Sequence, residues 1–255
     1  MELNLDGKAA VVTGASKGIG LAVVHALVAE GAQVTAGARH FGELPDGVRP
    51  VEVDLSTPEG PGRLVEDAAA AYGRLDLLVN NVGAAHPRTG GFLSITDEDW
   101  IATLTLDLLA TVRATRAALP HLLESRGTIV TVASVNAVLP DPLVMDYSAA
   151  KAAVSSFCKS LSKEVGPQGV RVNTISPGPV ATDLWLGKDG VANTVGGAVG
   201  LAPEDVQKKA AGDSVTGRFT TPEEVAALVV MAASDRIGNV TGADFIIDGG
   251  LIGTL

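Results

Sequence analysis

Cysteine is nearly absent from the sequence, since Cys158 is the only one among 255 residues. A single cysteine excludes an internal disulfide and a cysteine-based metal site. Aromatic residues are also scarce, at 4% of the chain, although hydrophobic residues reach 46%. Such an apolar composition is not that of a disordered protein. Ala, Val, Leu and Gly supply most of it, and small side chains of this kind suit helices that pack on a parallel sheet.

Positively charged residues are few: the chain has 19 Lys and Arg but 29 Asp and Glu, which gives a formal net charge of −10. Binding to nucleic acid or to anionic membranes needs clustered Lys and Arg, so we expect neither partner. Long apolar runs are missing as well, and the N-terminal residues include no basic segment followed by an apolar one. This pattern predicts no membrane span and no signal peptide. We therefore expect a cytoplasmic protein.

Short apolar runs of the strand type alternate with segments of helical periodicity along the chain. This alternation predicts an α/β fold, a doubly wound parallel sheet of about seven strands with helices on both faces. No repeat, low-complexity tract or linker divides residues 1–255, so we expect a single domain. The predicted strands span residues 8–13, 33–38, 48–53, 75–79, 128–132, 170–175 and 243–247.

A glycine-rich turn, Gly14-Ala15-Ser16-Lys17-Gly18-Ile19-Gly20, directly follows the first predicted strand and precedes a helical pattern. Strand, glycine turn and helix in this order are the context that a Rossmann-type dinucleotide fingerprint requires. Gly14 permits the tight turn, Gly18 lets the backbone approach a pyrophosphate, and Gly20 lets helix and strand pack closely. The helix N-terminus then faces the phosphates. The predicted cofactor contacts in this turn are Gly14, Ser16, Lys17, Gly18, Ile19 and Gly20.

The second predicted strand ends without the acidic residue that usually binds the ribose 2′-hydroxyl of NAD. Residues 31–42 contain no Asp or Glu, and the strand is followed by Arg39 and His40. A guanidinium can bind a 2′-phosphate through two parallel hydrogen bonds, and Lys17 can add a second positive charge. The alternative is that these are solvated surface cations. We expect NADP(H) to be preferred over NAD(H), with Arg39 and His40 among its contacts.

Tyr147 and Lys151 are four residues apart in a segment of helical pattern, residues 146–165. This spacing places both side chains on one helix face, one turn apart. A free phenol has a pKa near ~10, and a neighbouring cation lowers that pKa because it favours the phenolate. The pair therefore predicts a tyrosine that exchanges protons near neutral pH. The alternative is an amphipathic helix with an exposed lysine and a half-buried tyrosine.

Polar residues follow several predicted strands, with Asp54, Asn80 and Ser134 after the third, fourth and fifth. The carboxyl ends of parallel strands share one edge of the sheet, where ligands bind. Residues 183–217, after the sixth strand, break the alternation and contain only a short helical pattern near 204–211. Long irregular segments are often functional or mobile, so we expect a substrate lid there. A disordered surface insertion is the alternative.

A set of motifs occurs in the order and spacing of one known family, over residues 8–250. The motifs are Thr13-Gly14-x-x-x-Gly18-x-Gly20, Asn80-Asn81-x-Gly83, Ser134, Tyr147-x-x-x-Lys151 and Pro177-Gly178. The chain thus resembles the classical short-chain dehydrogenases/reductases, in particular the 3-oxoacyl-type ketoreductases. The resemblance implies an oxidoreductase that transfers hydride between NADP(H) and a carbonyl or secondary alcohol, without a metal.

The resemblance also implies roles for the matching positions. Tyr147 is similar to the general acid that protonates the carbonyl oxygen, Lys151 to the lysine that lowers its pKa and binds the nicotinamide ribose, and Ser134 to the residue that holds the substrate oxygen. Tyr147 and Lys151 are implied to contact the cofactor as well. Further cofactor contacts are implied at Asp54, Leu55, Asn80, Asn81, Gly83, Pro177, Gly178, Val180 and Thr182. The substrate is expected to contact Ser134, Asn136, Val144, Tyr147, Leu184 and Trp185.

The expected substrate pocket is largely apolar and includes no Arg or Lys for a carboxylate. This favours a small, neutral or partly hydrophobic carbonyl or alcohol substrate. An NAD-linked dehydrogenase of a sugar or steroid alcohol is the enzymatic alternative, and a cofactor-binding module that has lost catalysis is the alternative of another class. Assembly in this family usually uses long helices, here residues 108–123 and 146–165. The resemblance therefore implies a homotetramer, with a homodimer as the alternative.

Asp107 departs from the family pattern, in which an Asn at this position helps to hold a water in a proton relay to the lysine. An ionised carboxylate accepts hydrogen bonds but, unlike an amide, donates none. A carboxylate near Lys151 also favours the charged lysine. Asp107 could preserve the relay, weaken it or shift the pH optimum, or it could face elsewhere. We include it among the candidate catalytic residues.

Overall fold

The computed structural model describes residues 2–254, and its centre is one sheet of seven parallel strands. The strands are β1 (Ala9–Thr13), β2 (Gln33–Ala38), β3 (Arg49–Glu52), β4 (Leu77–Asn80), β5 (Thr128–Val132), β6 (Arg171–Pro177) and β7 (Asp244–Ile247). Their spatial order is β3-β2-β1-β4-β5-β6-β7. The predicted doubly wound sheet is confirmed, with strand boundaries within a few residues of those expected.

Helices cover both faces of this sheet. They are α1 (Gly18–Ala29), α2 (Gly60–Tyr72), α3 (Asp97–Leu104), α4 (Ala110–Ser125), α5 (Met145–Val165), α6 (Asp183–Leu186), α7 (Val191–Val199), α8 (Pro203–Gly212) and α9 (Pro222–Ala233). Within residues 2–254, each helix is too short or too polar to cross a lipid bilayer.

Successive side chains of a strand point to opposite faces of the sheet, so the apolar core has two layers, one on each face. Ala10 and Val12 of β1 pack with α1 and α9, whereas Val11 between them packs with α2, α4 and α5. All five residues of β1 and all five of β5 are buried. A parallel sheet covered on both faces needs such continuously apolar strands, which is why they stand out in the sequence.

The helical region after β4 is continuous from α3 to α4, joined by one turn of π-helix at Thr105–Leu109. The Thr96 hydroxyl caps α3 by accepting a hydrogen bond from the amide of Asp99. In the π turn the amide of Ala110 donates to the carbonyl of Thr105, five residues back. Such turns insert one residue and re-aim the side chains around them, and they are frequent at functional sites. This one carries Asp107.

The helical pattern expected near 204–211 is confirmed as α8, but the expectation that the rest of residues 183–217 is irregular is wrong, because it also contains α6 and α7. Its glycines and β-branched residues have low helix propensity, so the sequence signal is weak. Tertiary packing overrides that propensity. Ala192 and Gly196 of α7 are buried, and a Cβ on Gly196 would lie 2.7 Å from the carbonyl oxygen of Leu201. The small residues therefore permit the close approach that stabilises these helices.

Candidate active site

A cavity of about 1400 Å³ lies along the carboxyl edge of the sheet. Its wall is made by the turns that follow the strands β1 to β6, together with parts of α5 to α8. It opens where the strand order reverses between β1 and β4, the usual ligand site of a doubly wound sheet. Most candidate residues from different parts of the sequence meet here.

The glycine turn after β1 is packed so tightly that side chains are excluded from it. Gly14 has a φ of +65°, and a Cβ there would lie 2.8 Å from Cα of Val82. A Cβ on Gly20 would lie 2.2 Å from the carbonyl oxygen of Gly14. The Asn81 amide closes the turn by donating to the carbonyls of Thr13 and Gly14, at 3.1 and 3.0 Å. The turns after β1 and β4 are thus joined.

The N-terminus of α1 faces the cavity, and Ser16, Lys17, Gly18 and Ile19 line it. Helix N-termini present free amides and a partial positive charge, which suit phosphate groups. The Lys17 ammonium lies 3.3 Å from the carboxylate of Asp183, at the start of α6. Both side chains are exposed, so this ion pair contributes little stability and leaves Lys17 available to an anion.

The far end of the cavity is formed by the turns after β2 and β3. Arg39, Asp54 and Leu55 line it, and Arg39 is exposed and forms no ion pair with the residues that the structure describes. Hydrogen bonds from the Ser56 hydroxyl and amide, at 2.7 and 2.9 Å, lower the pKa of Asp54 and keep it ionised. His40 is exposed and lies outside the cavity wall.

Asn80 does not line the cavity, although the sequence motif predicted a cofactor contact. Its side chain is buried and donates to the hydroxyls of Thr115 and Thr131, at 3.1 and 3.4 Å. The alternation of β4 turns Asn80 into the core and leaves Asn81 and Gly83 at the cavity. Gly20 also lies outside the cavity wall, where it supports the turn. The other expected cofactor contacts, Pro177, Gly178, Val180 and Thr182, line the cavity.

Ser134, Tyr147 and Lys151 meet on one wall of the cavity. Ser134 lies two residues after the end of β5, and its hydroxyl accepts a hydrogen bond from the Asn136 amide at 3.1 Å. The Lys151 ammonium lies 5.5 Å from the centre of the Tyr147 ring and donates to the carbonyl of Val132 at 3.1 Å. Lys151 is only 4% exposed, so the alternative of an exposed surface lysine is wrong.

Burial raises the pKa of the Tyr147 phenol above its ordinary value. Lys151 acts in the opposite direction, as the sequence predicts, and so does the nearby Ser134 hydroxyl, whereas the charge of Asp107 adds to the rise. The expected lowering by Lys151 is therefore present but is outweighed by desolvation. The phenol is protonated at neutral pH.

Asp107 faces the same lysine from the π turn. Its carboxylate lies 3.8 Å from the Lys151 ammonium and accepts a hydrogen bond from the Ala84 amide at 3.3 Å. A Cβ on Gly83 would lie 2.5 Å from this carboxylate, so only a glycine fits at position 83. Burial raises the pKa of Asp107 to about 6, because desolvation outweighs the attraction of Lys151. The alternative that Asp107 faces elsewhere is wrong.

The rest of the wall is largely apolar. The predicted contacts Asn136, Val144, Leu184 and Trp185 line it, and Trp185 is held by the ring of Phe219 at 5.4 Å between centroids. Lys188 and Lys209 also line it, which corrects the expectation of a pocket without Lys. Residues that the sequence analysis missed come from the π turn, the turn before α5, and α7 and α8: Thr105, Leu106, Leu139, Leu143, Val195 and Val206. All but Thr105 are apolar, and that character was the only signal in the sequence that could have indicated them.

Comparisons with known proteins agree with this arrangement. A protein-family model described as Enoyl-(Acyl carrier protein) reductase matches residues 14–252. The 3-oxoacyl-(acyl-carrier-protein) reductase FabG of Thermotoga maritima is 32% identical over 261 residues, which cover 98% of this chain and 100% of that protein. A 3-alpha-(or 20-beta)-hydroxysteroid dehydrogenase of Mycobacterium tuberculosis is 34% identical over 265 residues, covering 100% and 93% respectively.

The crystal structure of L-sorbose reductase from Gluconobacter frateurii, complexed with NADPH and L-sorbose, is similar with a TM-score of 0.90. Sequence identity is 32%, and the match covers 100% of both chains. Fold, motifs and relatives together define an oxidoreductase that transfers hydride between a nicotinamide cofactor and a carbonyl or alcohol group. The chain belongs to the classical short-chain dehydrogenase/reductase family.

We expect Gly20→Ala to destabilise the fold, because the new Cβ would overlap a backbone carbonyl that cannot move without opening the glycine turn. The free energy of unfolding in urea should fall by about 2–4 kcal/mol. Gly62→Ala is the matched control, since Gly62 lies in α2 with open space around its Cβ position. That change should raise the free energy of unfolding by about 0.5–1 kcal/mol. Equal effects of the two changes would contradict the packing described for this turn.

Asp107→Asn should change how stability depends on pH. The folded protein holds the Asp107 proton up to about pH 6, above the ordinary value of 3.8, so its free energy of unfolding falls as pH rises through this window. Asn carries no such proton. The free energy of unfolding of the variant in urea, minus that of the wild type, should therefore increase by about 2–3 kcal/mol between about pH 4 and pH 7.5. A difference that stays constant with pH would rule out the raised pKa.

Proposed function

We propose that the chain is an NADP(H)-dependent carbonyl reductase or secondary alcohol dehydrogenase for a neutral, largely apolar substrate. The observation that carries this proposal is the convergence of Ser134, Tyr147 and Lys151 on one wall of a cavity that continues to the glycine turn and to Arg39. A proton donor and a set of residues suited to bind a dinucleotide thus line the same cavity.

The residues around the cavity fit a dinucleotide. A cavity of about 1400 Å³ exceeds the roughly 300–1000 Å³ of a typical ligand pocket, so it has room for a cofactor and a second molecule. The α1 N-terminus with Ser16 and Gly18 would hold the pyrophosphate, Asp54 and Leu55 the adenine end, and the segment from Pro177 to Thr182 the nicotinamide end. When bound, the nicotinamide supplies or accepts the hydride.

The protein's own contribution is to orient the substrate and to move a proton. Ser134 would hold the carbonyl oxygen by a hydrogen bond, and Tyr147 would donate its phenolic proton to that oxygen during reduction. The raised pKa of Tyr147 suits this direction, because it keeps the phenol protonated at neutral pH. Lys151 stabilises the phenolate that remains after the proton has left.

Asp107 lies behind Lys151 and would act through it. Its carboxylate forms an ion pair with the ammonium at 3.8 Å, and the Ala84 amide donates a hydrogen bond that fixes the carboxylate in place. We infer that Asp107 preserves the link to Lys151 while making it sensitive to pH near its own pKa of about 6. This combines two of the outcomes that the sequence left open, preservation of the relay and a shift of the pH optimum.

We propose the preference for NADP(H) because of the charges around the expected position of the 2′-phosphate. Arg39 is exposed at the adenine end, Lys17 can leave its exposed pair with Asp183, and residues 31–42 contain no carboxylate that would repel a 2′-phosphate. The structurally similar L-sorbose reductase was crystallised with NADPH, which supports the same assignment. An NAD-linked dehydrogenase of a sugar or steroid alcohol remains the second candidate, since relatives act on both kinds of substrate.

The substrate preference rests on the cavity wall. Val144, Leu184, Val195 and Val206 give it an apolar surface that a sugar would not match. Lys188 and Lys209 do not make it a site for anions, because the carboxylates Asp183, Asp189 and Asp213 line the same cavity. We propose that residues 183–217, with α6 to α8, form the lid of this pocket within a single domain.

Assembly and location stay predictions. We propose that α4 and α5 mediate a homotetramer or, as the alternative, a homodimer. Small residues on these helices would let two of them pack closely. The cytoplasmic location likewise stays a prediction.

Tyr147→Phe tests the catalytic assignment. The variant lacks the proton donor, so turnover of ketones with NADPH should fall by about 10²–10⁴-fold. NADPH binding, followed by cofactor fluorescence, should stay within about 2-fold because the glycine turn is untouched. Tyr72→Phe is the matched control: its hydroxyl donates to the carbonyl of Val34, away from the cavity, and activity should be retained. If the wild type binds NADPH but reduces no ketone of a broad panel, the binding-only alternative holds.

Arg39→Ala tests the cofactor preference. Loss of a charge-assisted contact to the 2′-phosphate should lower kcat/KM for NADPH by about 10–100-fold and leave that for NADH nearly unchanged. Arg116→Ala, an exposed arginine of α4 outside the cavity wall, is the control and should alter neither value. Retention of the full NADPH preference by Arg39→Ala would refute this part of the proposal.

A further inference from the structure

Arg88 joins three elements beside the active site but belongs to none of the motifs described above. Its guanidinium donates to the carboxylate of Asp146 at 2.5 and 3.2 Å and to that of Asp99 at 2.9 Å. Its backbone amide donates to the carbonyl of Leu143 at 2.6 Å. The arginine therefore connects the loop after β4 to the N-terminal turn of α3, to the turn before α5 and to α5 itself.

The contacts of Arg88 with these elements form a junction, and Asp146 is the buried residue at its centre. It is 1% exposed, and one of its oxygens also accepts a hydrogen bond from the Thr103 hydroxyl at 2.7 Å. The other oxygen, Oδ1, is buried without a hydrogen-bond partner among residues 2–254. A buried carboxylate depends on its cationic partner, because removal of that partner leaves an uncompensated charge in the interior. Arg88 is therefore required for this arrangement.

The junction lies between two parts of the substrate wall. Ala84 to Pro87, directly before Arg88, line the cavity, and so do Leu143 and Val144, directly before α5. Asp146 immediately precedes Tyr147 on the first turn of α5. The same salt bridge thus fixes the loop on one side of the cavity and the helical turn that carries the phenol on the other.

We propose that Arg88 and Asp146 are positioning residues for the reaction: their buried ion pair, the Arg88 clamp, holds residues 84–91 against the turn of Tyr147 and so sets the distance between substrate and proton donor. This inference rests on the carbonyl reductase activity proposed above. Neither residue contacts the glycine turn, so the clamp affects the substrate end of the cavity and leaves the cofactor end unchanged.

Arg88→Ala, Arg88→Lys and the control Arg74→Ala test the clamp. Arg74 is a close match, because it also pairs with a nearly buried carboxylate, that of Asp76, at 2.6 Å, and it lies near the start of β4, at the opposite edge of the sheet. Arg88→Ala should lower kcat/KM for the ketone by about 10–100-fold while the Kd for NADPH changes by less than about 2-fold. Arg88→Lys should recover part of the loss because it keeps the charge. Added guanidinium should partly restore Arg88→Ala, whereas Arg74→Ala should keep full activity per folded molecule.

Equal kcat/KM values for folded Arg88→Ala and Arg74→Ala would overturn the proposal, and so would a parallel loss of NADPH affinity. Amide hydrogen exchange gives a readout that does not need turnover. Arg88→Ala should speed exchange in residues 84–91 and in the first turn of α5, but not in the glycine turn. If the wild type reduces no ketone, the proposed function fails, and unchanged exchange in both segments would independently refute the clamp.

Discussion

Every neighbouring pair of strands in the sheet is parallel, and this constraint arranges the rest of the molecule. Parallel neighbours need crossover connections, so all strands end at the same edge. Helices from those crossovers cover both faces, which leaves the strands apolar and moves polar chemistry to their ends. Gly14, Asn81 and Ser134 are far apart in sequence, yet they meet because each follows the end of a strand. The site is a consequence of the topology, and its chemistry is decided by which residues occupy those few turns.

The burial of Lys151 is the most demanding feature of the site. A charged ammonium removed from water is costly unless it is paired and hydrogen-bonded. The carbonyl of Val132 and the carboxylate of Asp107 meet that need, at 3.1 and 3.8 Å. Asp107 is itself buried, and desolvation raises its pKa as it does that of Tyr147. The three side chains therefore form one electrostatic unit: Lys151 lowers the pKa of both Tyr147 and Asp107, and the charge of Asp107 raises that of Tyr147.

Local patterns predicted the parts of the structure that local physics determines. Continuous apolar runs indicated the strands, and the spacing of Tyr147 and Lys151 indicated a shared helix face. The motif suggested a cofactor contact at Asn80, but the alternation of β4 directs this side chain into the core, to Thr115 and Thr131. The π turn that carries Asp107 and the helices α6 and α7 escaped prediction, whereas α8 was indicated by its helical pattern. The π turn packs against α5, and α7 packs against both α6 and α8. Contacts of that kind leave no periodic signal in the sequence.

Asp146 links the geometry of the pocket to its electrostatics. Its negative charge raises the pKa of Asp107, so the two carboxylates interact although they belong to different elements. Arg88 lies 2.5 Å from Asp146 and compensates part of that charge. An uncompensated Asp146 would favour the neutral form of Asp107, and a neutral Asp107 would no longer stabilise the ammonium of Lys151. The contact that seats residues 84–91 therefore also protects the charge state behind Tyr147. Shape and proton affinity at this site depend on the same ion pair.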